Sequence, residues 1–134
     1  MTFEPDLAGE PLAARAVANI PFVVLARRAD FLRAASARRQ GTPGFLLQAR
    51  ARGDDWVVVR VGYTCSKKIG NAVARNRAKR RLRAAADAVL PGLARAGWDY
   101  VLVGRPGATI ERNFEALLSD LRLALHQVHR DRGT

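Results

Sequence analysis

The sequence contains a single cysteine, Cys65, and this scarcity sets the first limits. One thiol excludes an internal disulfide and leaves no cysteine cluster for zinc, a pattern typical of proteins in the reducing cytosol. Long apolar runs are also missing, since none approaches the roughly 20 residues that span a bilayer. The first residues include Glu4, Asp6 and Glu10 and lack the positive segment of a signal peptide. We therefore predict a cytoplasmic protein that does not associate with membranes.

Residues able to carry acid–base or metal chemistry are few. The two histidines, His126 and His129, lie three residues apart near the C-terminus. Without a third ligand, this spacing predicts a solvent-exposed helix end rather than a metal site. No Walker loop or G-x-G-x-x-G motif occurs, and Cys65 falls on the core-facing positions of its predicted strand, which disfavours a reactive thiol. The sequence thus predicts a binding protein with no catalytic residues and no metal ligands of its own.

Acidic residues are absent between Trp56 and Ala86, and the same stretch is densely basic. The chain carries 23 Lys and Arg against 12 Asp and Glu, a net charge of +11. Most of that excess lies in one segment, at Arg60, Lys67, Lys68, Arg75, Arg77, Lys79, Arg80, Arg81 and Arg83. A merely solvated helix face usually mixes both signs. The concentration of one sign predicts a single polyanion-binding surface, with nucleic acid favoured over an anionic membrane.

The periodicity of the chain predicts one α+β domain. Residues 1–20 show no sustained period and are interpreted as a poorly ordered N-terminal tail, and residues 21–134 as a single RNA-binding domain. Segments 45–51, 56–65 and 99–105 have the β-branched and aromatic content of strands, with a hairpin turn at 52–55. Helices alternate with them in the order α-β-β-α-β-α. The predicted architecture is a compact sandwich of a small central sheet and helices.

Capping residues predict where the three helices begin. Asp30 is expected to cap a short helix that ends before Gly41. Asn71 is expected to cap a long helix that ends near Pro91. Thr109 is expected to cap the last helix, whose apolar residues recur at helical spacing.

The strand at 56–65 has two unlike faces. The apolar face predicts the core side and consists of Val57, Val59, Val61, Tyr63 and Cys65. The other is small and largely polar and consists of Val58, Arg60, Gly62, Thr64 and Ser66. Gly62 would allow another backbone to approach. This second face is either the floor of a ligand site or an ordinary solvent-facing side, and the pattern leaves both open.

The helix that follows Asn71 is also two-sided. One face carries the apolar residues Ala74, Ala78, Leu82, Ala85 and Val89, and the opposite face carries Asn76, Arg77, Lys79, Arg80 and Arg83. Arginine and lysine on a helix suit sequence-independent phosphate contacts. Asn76 interrupts the charges with an amide that can both donate and accept, either for a specific contact or as an exposed polar residue.

The residues 66–83, SKKIGNAVARNRAKRRLR, resemble the signature of the protein subunit of bacterial ribonuclease P. That signature is a Lys-Lys-x-Gly-x-Ala-Val loop followed by an Arg-Asn-Arg helix. The similarity extends to ADF at 29–31, RVGYT at 60–64 and WDYVLVGRPG at 98–107. The resemblance runs in matching order over roughly residues 25–128.

The resemblance implies a fold with a left-handed β-α-β crossover, against the general right-handed rule. It also implies the accessory protein of a ribonucleoprotein endonuclease. In that family a catalytic RNA subunit removes the 5′ leader of precursor tRNA with Mg²⁺, which the RNA mainly binds. The implied partners are this RNA and precursor tRNA, without an obligate protein partner.

The resemblance further implies two sets of site residues. Those expected to bind the catalytic RNA are Lys67, Lys68, Asn71, Arg75, Asn76, Arg77, Lys79, Arg80 and Arg83. Those expected to form a leader-binding cleft are Phe31, Leu46, Gln48, Arg60, Thr64 and Ser66. Ala35 and Gln48 stand where relatives can carry further aromatic residues, so the stacking platform is expected to be thinner and leader binding to rest more on Arg60 and backbone contacts.

Two rival functions remain at this point. One is a general RNA-binding or ribosome-associated protein without a processing role, and the other is a protein-only nuclease. The first predicts no effect on leader removal by the RNA subunit. The second predicts metal-dependent cleavage in the absence of that RNA.

Overall fold

The computed structural model describes residues 21–130, and the predicted tail at 1–20 lies outside the described residues. The strands are β1 (Phe22–Val24), β2 (Arg38–Gly41), β3 (Phe45–Ala51), β4 (Val59–Thr64) and β5 (Trp98–Gly104). The helices are α1 (Arg28–Ala35), α2 (Ala72–Leu93), α3 (Ala108–Glu111) and α4 (Phe114–Val128), and a short 3₁₀ turn spans Lys67–Ile69. None of the helices in this range is long and apolar enough to cross a membrane.

The five strands form one sheet in the order β1-β4-β5-β3-β2. β5 lies between β4 and β3, parallel to the first and antiparallel to the second. The predicted hairpin at 52–55 is therefore wrong, because the strands that it would join are not neighbours. Residues 98–102 of β5 are all buried, so this strand offers apolar side chains to both faces of the sheet and takes its centre.

Three predicted strands are confirmed, with β4 shorter at both ends than the segment 56–65. The sequence does not predict β2, because it places the end of the first helix just before Gly41 and a turn at Gly41 itself. The sequence of β2 is Arg-Arg-Gln-Gly, which lacks β-branched and aromatic residues. Its strand conformation comes from antiparallel pairing with β3, a tertiary contact that overrides a weak local preference.

The long helix α2 agrees with prediction. The Asn71 side chain accepts a hydrogen bond from the amide of Ala74 at 2.9 Å, as an N-cap residue does. The helix continues through Pro91 to Leu93. Its buried positions are Ala78, Leu82, Ala85, Ala86, Val89 and Leu90, which is the predicted apolar face with Ala74 only partly buried.

The predicted cap at Asp30 is wrong. α1 begins at Arg28, and its N-cap residue Arg27 makes no side-chain capping bond. Asp30 lies instead in the first turn, buried, and forms ion pairs with Arg33 and Arg60. A carboxylate stabilises the start of a helix both as the N-cap residue and within the first turn. Asp30 therefore does mark the start of α1, but from inside the helix.

The predicted cap at Thr109 is also wrong. Thr109 lies inside the separate short helix α3 and is fully buried. Its hydroxyl accepts a hydrogen bond from the amide of Arg105 and donates one to the carbonyl of Gly44. α4 starts later and is capped by Asn113, whose side chain accepts from the amide of Ala116 at 3.2 Å.

Two apolar clusters lie on opposite faces of the sheet. The larger one packs α2 and α4 against the alternate residues of β3, β4 and β5. The smaller one consists of Leu25, Ala34 and Val101, with Phe31 and Val103 partly buried against it. α1 therefore covers only part of its face. β4, α2 and β5 form a parallel β-α-β unit, and its left-handed crossover stays a prediction.

His129 differs from the predicted solvent-exposed helix end. Its Nε2 lies 2.6 Å from the hydroxyl of Tyr100, and its ring meets that of Trp98 edge to face at a centroid distance of 4.3 Å. Burial, followed by the positive charges of Arg95 and Arg38, lowers the pKa of His129 to about 4. The imidazole is thus neutral at pH 7, whereas His126 is exposed.

Lowering the pH from about 6.5 to about 4 is expected to destabilise the fold through His129. In this window the unfolded chain binds a proton at this imidazole and the folded chain does not, so the equilibrium shifts toward unfolding. The contribution of the neutral His129 to the free energy of unfolding is fully present above the ordinary histidine pKa of 6.5. Urea unfolding at pH 7 and pH 5 measures the loss, which should shrink in His129→Gln and persist in His126→Gln. Equal pH dependence in the two variants would contradict this assignment.

Candidate RNA interface

The polar face of β4 continues across the sheet in two rows beside α1. In the outer row, Leu46, Val103 and Thr64 are register partners on β3, β5 and β4. In the next row, Gln48, Val101 and Gly62 are partners. Register partners in a sheet project their side chains to the same side. The predicted cleft residues on β3 and β4 therefore share one face, and Ser66 follows at the exposed end of β4.

Phe31 forms the wall of this cleft. A Cβ atom built on Gly62 would lie 2.5 Å from Cε1 of Phe31, so the phenyl ring rests directly on the glycine. The close approach that Gly62 was expected to permit is made by a side chain and not by another backbone. Phe31 stays partly buried, with the remainder of its surface accessible.

Arg60 lies in a third row and is held by carboxylates of the protein. Its guanidinium donates to both oxygens of Asp99, at 2.8 and 2.7 Å, and to Asp30 at 3.1 Å. The hydrogen bonds to Asp99 raise the pKa of Arg60 above its ordinary value, although burial opposes this. Burial alone would raise the pKa of Asp30, but the charge and hydrogen bond of Arg60, helped by Arg33, hold it below its ordinary value. The positive charge of Arg60 is therefore largely neutralised at the inner end of the cleft.

The basic ridge comprises the nine predicted RNA-binding residues on the 66–71 loop and the first half of α2. The exposed members are Lys67, Lys68, Asn71, Asn76, Arg77, Arg80 and Arg83, and the partly buried ones are Arg75 and Lys79. Within the part of the chain that the structure describes, none of these cations has a carboxylate partner. The ridge thus presents uncompensated positive charge.

The loop that starts the ridge is fixed to the sheet. The Ser66 hydroxyl accepts from the amide of Lys68 at 3.3 Å, and Gly70 has a φ of +145°. Ile69 covers Gly104, where a Cβ atom would come within 2.7 Å of its side chain. Because Gly104 ends β5 and its Cβ position also meets Cys65 of the larger core cluster, Ile69 fixes the loop to the α2 side of the sheet, where β4 leads into it.

Besides Arg60, three arginines of the basic segment have contacts within the protein. Arg75 donates to the carbonyl of Gly70 at 3.4 Å. Arg81 donates to the carbonyl of Ile110 at 2.5 Å and to that of Arg112, which ties α2 to α3. Arg83 lies over the ring of Tyr63 at 5.3 Å, an arrangement that favours a cation–π interaction. Arg83 stays exposed and remains part of the ridge, whereas Arg81 points away from it.

Sequence reasoning missed two cations beside the cleft. Arg39 is exposed on β2 as the register partner of Gln48. The guanidinium of Arg105 lies beside Gly41, where a Cβ atom would approach it to 3.0 Å. No sequence pattern around either arginine predicts its place beside the cleft. Arg39 lies on β2 and Arg105 lies beside Gly41 of β2, and this strand was not predicted.

The site holds no convergent set of acid–base groups among residues 21–130. No group of three or more His, Cys, Asp and Glu side chains in that range could hold a metal ion. Cys65 packs against the larger core cluster, as predicted. Burial raises the pKa of its thiol, although Lys79 and a backbone hydrogen bond at Gly104 oppose this. A thiol with a raised pKa is a weak nucleophile at neutral pH.

A basic helix on one face of the sheet and a half-open cleft with an aromatic wall on the other define a nucleic-acid-binding protein. The comparisons with known proteins specify the class. The ribonuclease P family model matches residues 22–129. The ribonuclease P protein component of Ruegeria pomeroyi is 57% identical over 120 residues, which cover 89% of this chain and 96% of that protein. The corresponding component of Paramagnetospirillum magneticum is 53% identical over 108 residues, covering 78% and 80% of the two chains.

Solved structures agree in fold. The RNase P protein of Thermotoga maritima matches with a TM-score of 0.62 and 27% identity, covering 81% of this chain and 97% of that one. The RNase P protein of Staphylococcus aureus matches with a TM-score of 0.65, covering 79% and 94% of the two chains at 22% identity. The chain belongs to the ribonuclease P protein family. It is the protein component of a ribonucleoprotein endoribonuclease that processes tRNA and whose RNA carries catalysis.

Proposed function

We propose that the basic ridge binds the catalytic RNA of ribonuclease P and that the cleft binds the 5′ leader of precursor tRNA. The observation that carries this proposal is the continuity of the two surfaces. β4 supplies Thr64 to the cleft floor, and the next residues enter the lysine loop of the ridge. A leader strand leaving the cleft at Ser66 would therefore reach the RNA that the ridge holds, in the same complex.

The side chains of the ridge are suited to binding the phosphate backbone of RNA. Arginine guanidinium groups can donate two parallel hydrogen bonds to one phosphate. A-form RNA has a major groove too deep and narrow for side chains, so a basic helix follows its shape and phosphates. Asn76 stands between Arg75 and Arg77 and is exposed, which lets its amide add one contact to a ribose or base.

The cleft has the chemistry of a single-strand site. Bases stack on aromatic rings without regard to sequence, and basic groups at the edges track the backbone. Phe31 supplies the ring, Gln48 and Thr64 supply hydrogen-bonding side chains, and Arg39 lies at the rim. Because Arg60 is engaged by Asp99 and Asp30, we expect it to shape the inner end of the cleft more than to bind a phosphate.

Mg²⁺ is proposed to be held by the RNA subunit. The hard cation prefers clustered carboxylate, carbonyl or phosphate oxygens. The exposed side chains of the ridge are cationic or amide groups, which do not fit such a site, while RNA phosphates do. The protein would then act on metal binding only through the RNA fold that it stabilises.

A cytoplasmic location accords with this role.

Reconstitution with the cognate RNA subunit tests the proposal. At low Mg²⁺, adding the protein should restore leader removal, and it should tighten binding of precursor tRNA more than that of mature tRNA. The protein alone should not cleave. Equal effects on the two tRNAs would reject the leader site, and no effect on cleavage would favour a general RNA-binding role.

Arg77→Ala is expected to weaken binding to the RNA subunit and to reduce its salt dependence. Each phosphate contact that is lost should lower the slope of log K against log salt by about 0.7–0.9. Arg77 is exposed on α2, and its side chain makes no hydrogen bond or ion pair within residues 21–130, so the melting temperature should hardly change. Filter binding across a salt series measures the slope.

The matched control is Arg27→Ala. Arg27 is also exposed and lies at the start of α1, outside the ridge. Both variants lose one positive charge, so a nonspecific effect of net charge would appear equally in each. Equal slopes for the two variants would remove the ridge as the RNA surface.

A further inference from the structure

A second cationic site lies at the far end of α2, where it meets the C-terminal half of α4. A cavity of about 220 Å³ opens there. We name it the distal pocket; its walls are Leu93, Leu125, Arg95, Arg122, Arg130, His126 and His129. Among the described residues, no acidic side chain lines it. Counted along α2 at about 1.5 Å per residue, it lies roughly 24 Å from Arg77, so it is separate from the ridge.

Among residues 21–130, the arginines of the distal pocket have no carboxylate partner. None of the three forms a salt bridge within residues 21–130, in contrast to Arg52, Arg60 and Arg112 elsewhere. The recorded side-chain hydrogen bond of Arg95 goes to the carbonyl of His129 at 3.3 Å, which positions its guanidinium without neutralising it. A concave site lined by one sign of charge concentrates ions of the opposite sign.

His129 contributes an unused polar atom. The hydroxyl of Tyr100 accepts from the amide of Arg95 at 2.9 Å and is hydrogen-bonded to Nε2 of His129 at 2.6 Å. A neutral imidazole that accepts at Nε2 carries its hydrogen at Nδ1. This Nδ1 is buried and has no partner among the described residues. Buried polar groups without a partner are rare and often mark an absent ion or water.

We propose that the distal pocket binds a phosphate group. Guanidinium forks match phosphate oxygens, and the three arginines together can balance a dianion. A water molecule occupies about 30 Å³ of the liquid, so the cavity has room for a phosphate. The group can belong to an RNA backbone or to free inorganic phosphate. The RNA source depends on the function proposed above, whereas phosphate binding itself does not.

A phosphate in the pocket would also change the titration of His129. Its charged and titratable neighbours are Arg38 on β2, Arg95 and Tyr100 around β5, and Arg122, His126 and Arg130 along or just beyond α4. The cations among them disfavour a protonated imidazole. A bound anion offsets them, so phosphate should raise the pKa of His129 from about 4.

Titration of the full chain with inorganic phosphate at constant ionic strength tests the pocket. Nuclear magnetic resonance of the His129 imidazole should show saturable shifts and a higher pKa. Arg122→Ala should weaken this response tenfold or more, whereas Arg77→Ala on the ridge should leave it within twofold. No saturable shift at His129, or equal weakening in both variants, overturns the proposal.

Binding to the RNA subunit distinguishes the two sources of phosphate. If RNA supplies the group, Arg122→Ala lowers the log–log salt slope by about 0.7–0.9, and the loss adds to that of Arg77→Ala. If the slope is unchanged while phosphate binding is lost, the ligand is free phosphate and the RNA source is rejected. The salt slope measured for Arg77→Ala tests RNA binding by the ridge alone. A failure of the proposed function would therefore appear in this variant, and a failure of the distal pocket only in Arg122→Ala.

Discussion

Asp99→Ala is expected to destabilise the fold by about 3–5 kcal/mol, the range observed when one partner of a buried ion pair is removed. Asp99 is fully buried on the central strand and accepts from Arg52 at 2.8 Å and from Arg60 at 2.8 and 2.7 Å. Arg50 approaches it at 3.5 Å. One carboxylate therefore balances charges from the strands on both sides of β5.

Among the arginines that pair with Asp99, Arg52 should be affected most by its removal, because the side chain of Arg52 is only 3% exposed. Its guanidinium also donates to the carbonyls of Trp56 and Val58, at 2.6 and 2.7 Å, which fixes the connection from β3 to β4. Without Asp99 this buried charge would keep its carbonyl bonds and its ion pair at 3.2 Å with the exposed Asp54, but it would lose its only buried counter-ion within residues 21–130. Since Asp30 still pairs with Arg60, Arg60 should be affected less.

Urea unfolding of the purified chain measures the loss. The matched control is Asp55→Ala, because Asp55 is exposed and makes no recorded bond in the described range; its effect should stay within about 0.5 kcal/mol. Asp99→Asn keeps the shape and removes the charge, and it should lie between the two. A loss below about 1 kcal/mol for Asp99→Ala would contradict this prediction, because it would show that Asp54 or solvent is enough to compensate the charge of Arg52.

Phe31→Ala is expected to weaken binding of precursor tRNA about fivefold to a hundredfold while leaving mature tRNA almost unaffected. Stacking of a base on an aromatic ring is worth roughly 1–3 kcal/mol by alanine substitution. The ring lies over Gly62 with part of its surface accessible, at the edge of the cleft floor. Leader binding is thus the interaction that its removal should affect.

The partial burial of Phe31 also predicts a loss of stability, which should be smaller than the roughly 3–5 kcal/mol for a fully buried phenylalanine. Phe31→Leu separates the two effects, because leucine keeps much of the packing against Leu25 and Val101 but offers no ring. The matched control is Leu32→Ala, since Leu32 is the next residue on α1 and is 56% exposed.

The expected pattern is a selective loss of precursor binding in both Phe31 variants and a marked fall in melting temperature only in Phe31→Ala. Leu32→Ala should bind both tRNAs as the wild type does. If Phe31→Leu binds precursor tRNA normally, or if both tRNAs weaken equally, the ring serves the core and not the leader.

The sequence alone determined the features that depend on local periodicity and on a concentration of charge. The alternation in β4 separated the core face from the cleft face, and the helical spacing in α2 separated its buried stripe from the ridge. Asn71 marked the start of α2 correctly because a side-chain cap is a contact within one turn. The absence of acids around the ridge predicted a polyanion-binding surface before any contact was known.

Only the tertiary structure decided which distant segments meet. Inserting β5 between β3 and β4 replaced the expected hairpin, because strand order depends on long-range pairing and not on the pattern within a strand. The same insertion placed Asp99 between three arginines and thereby turned Arg60 from an expected leader contact into a partner of buried carboxylates. It also brought Tyr100 to His129 across the core. A charge or an imidazole has the same identity in the sequence whether it is solvated or buried, and its burial follows from packing that no local pattern encodes.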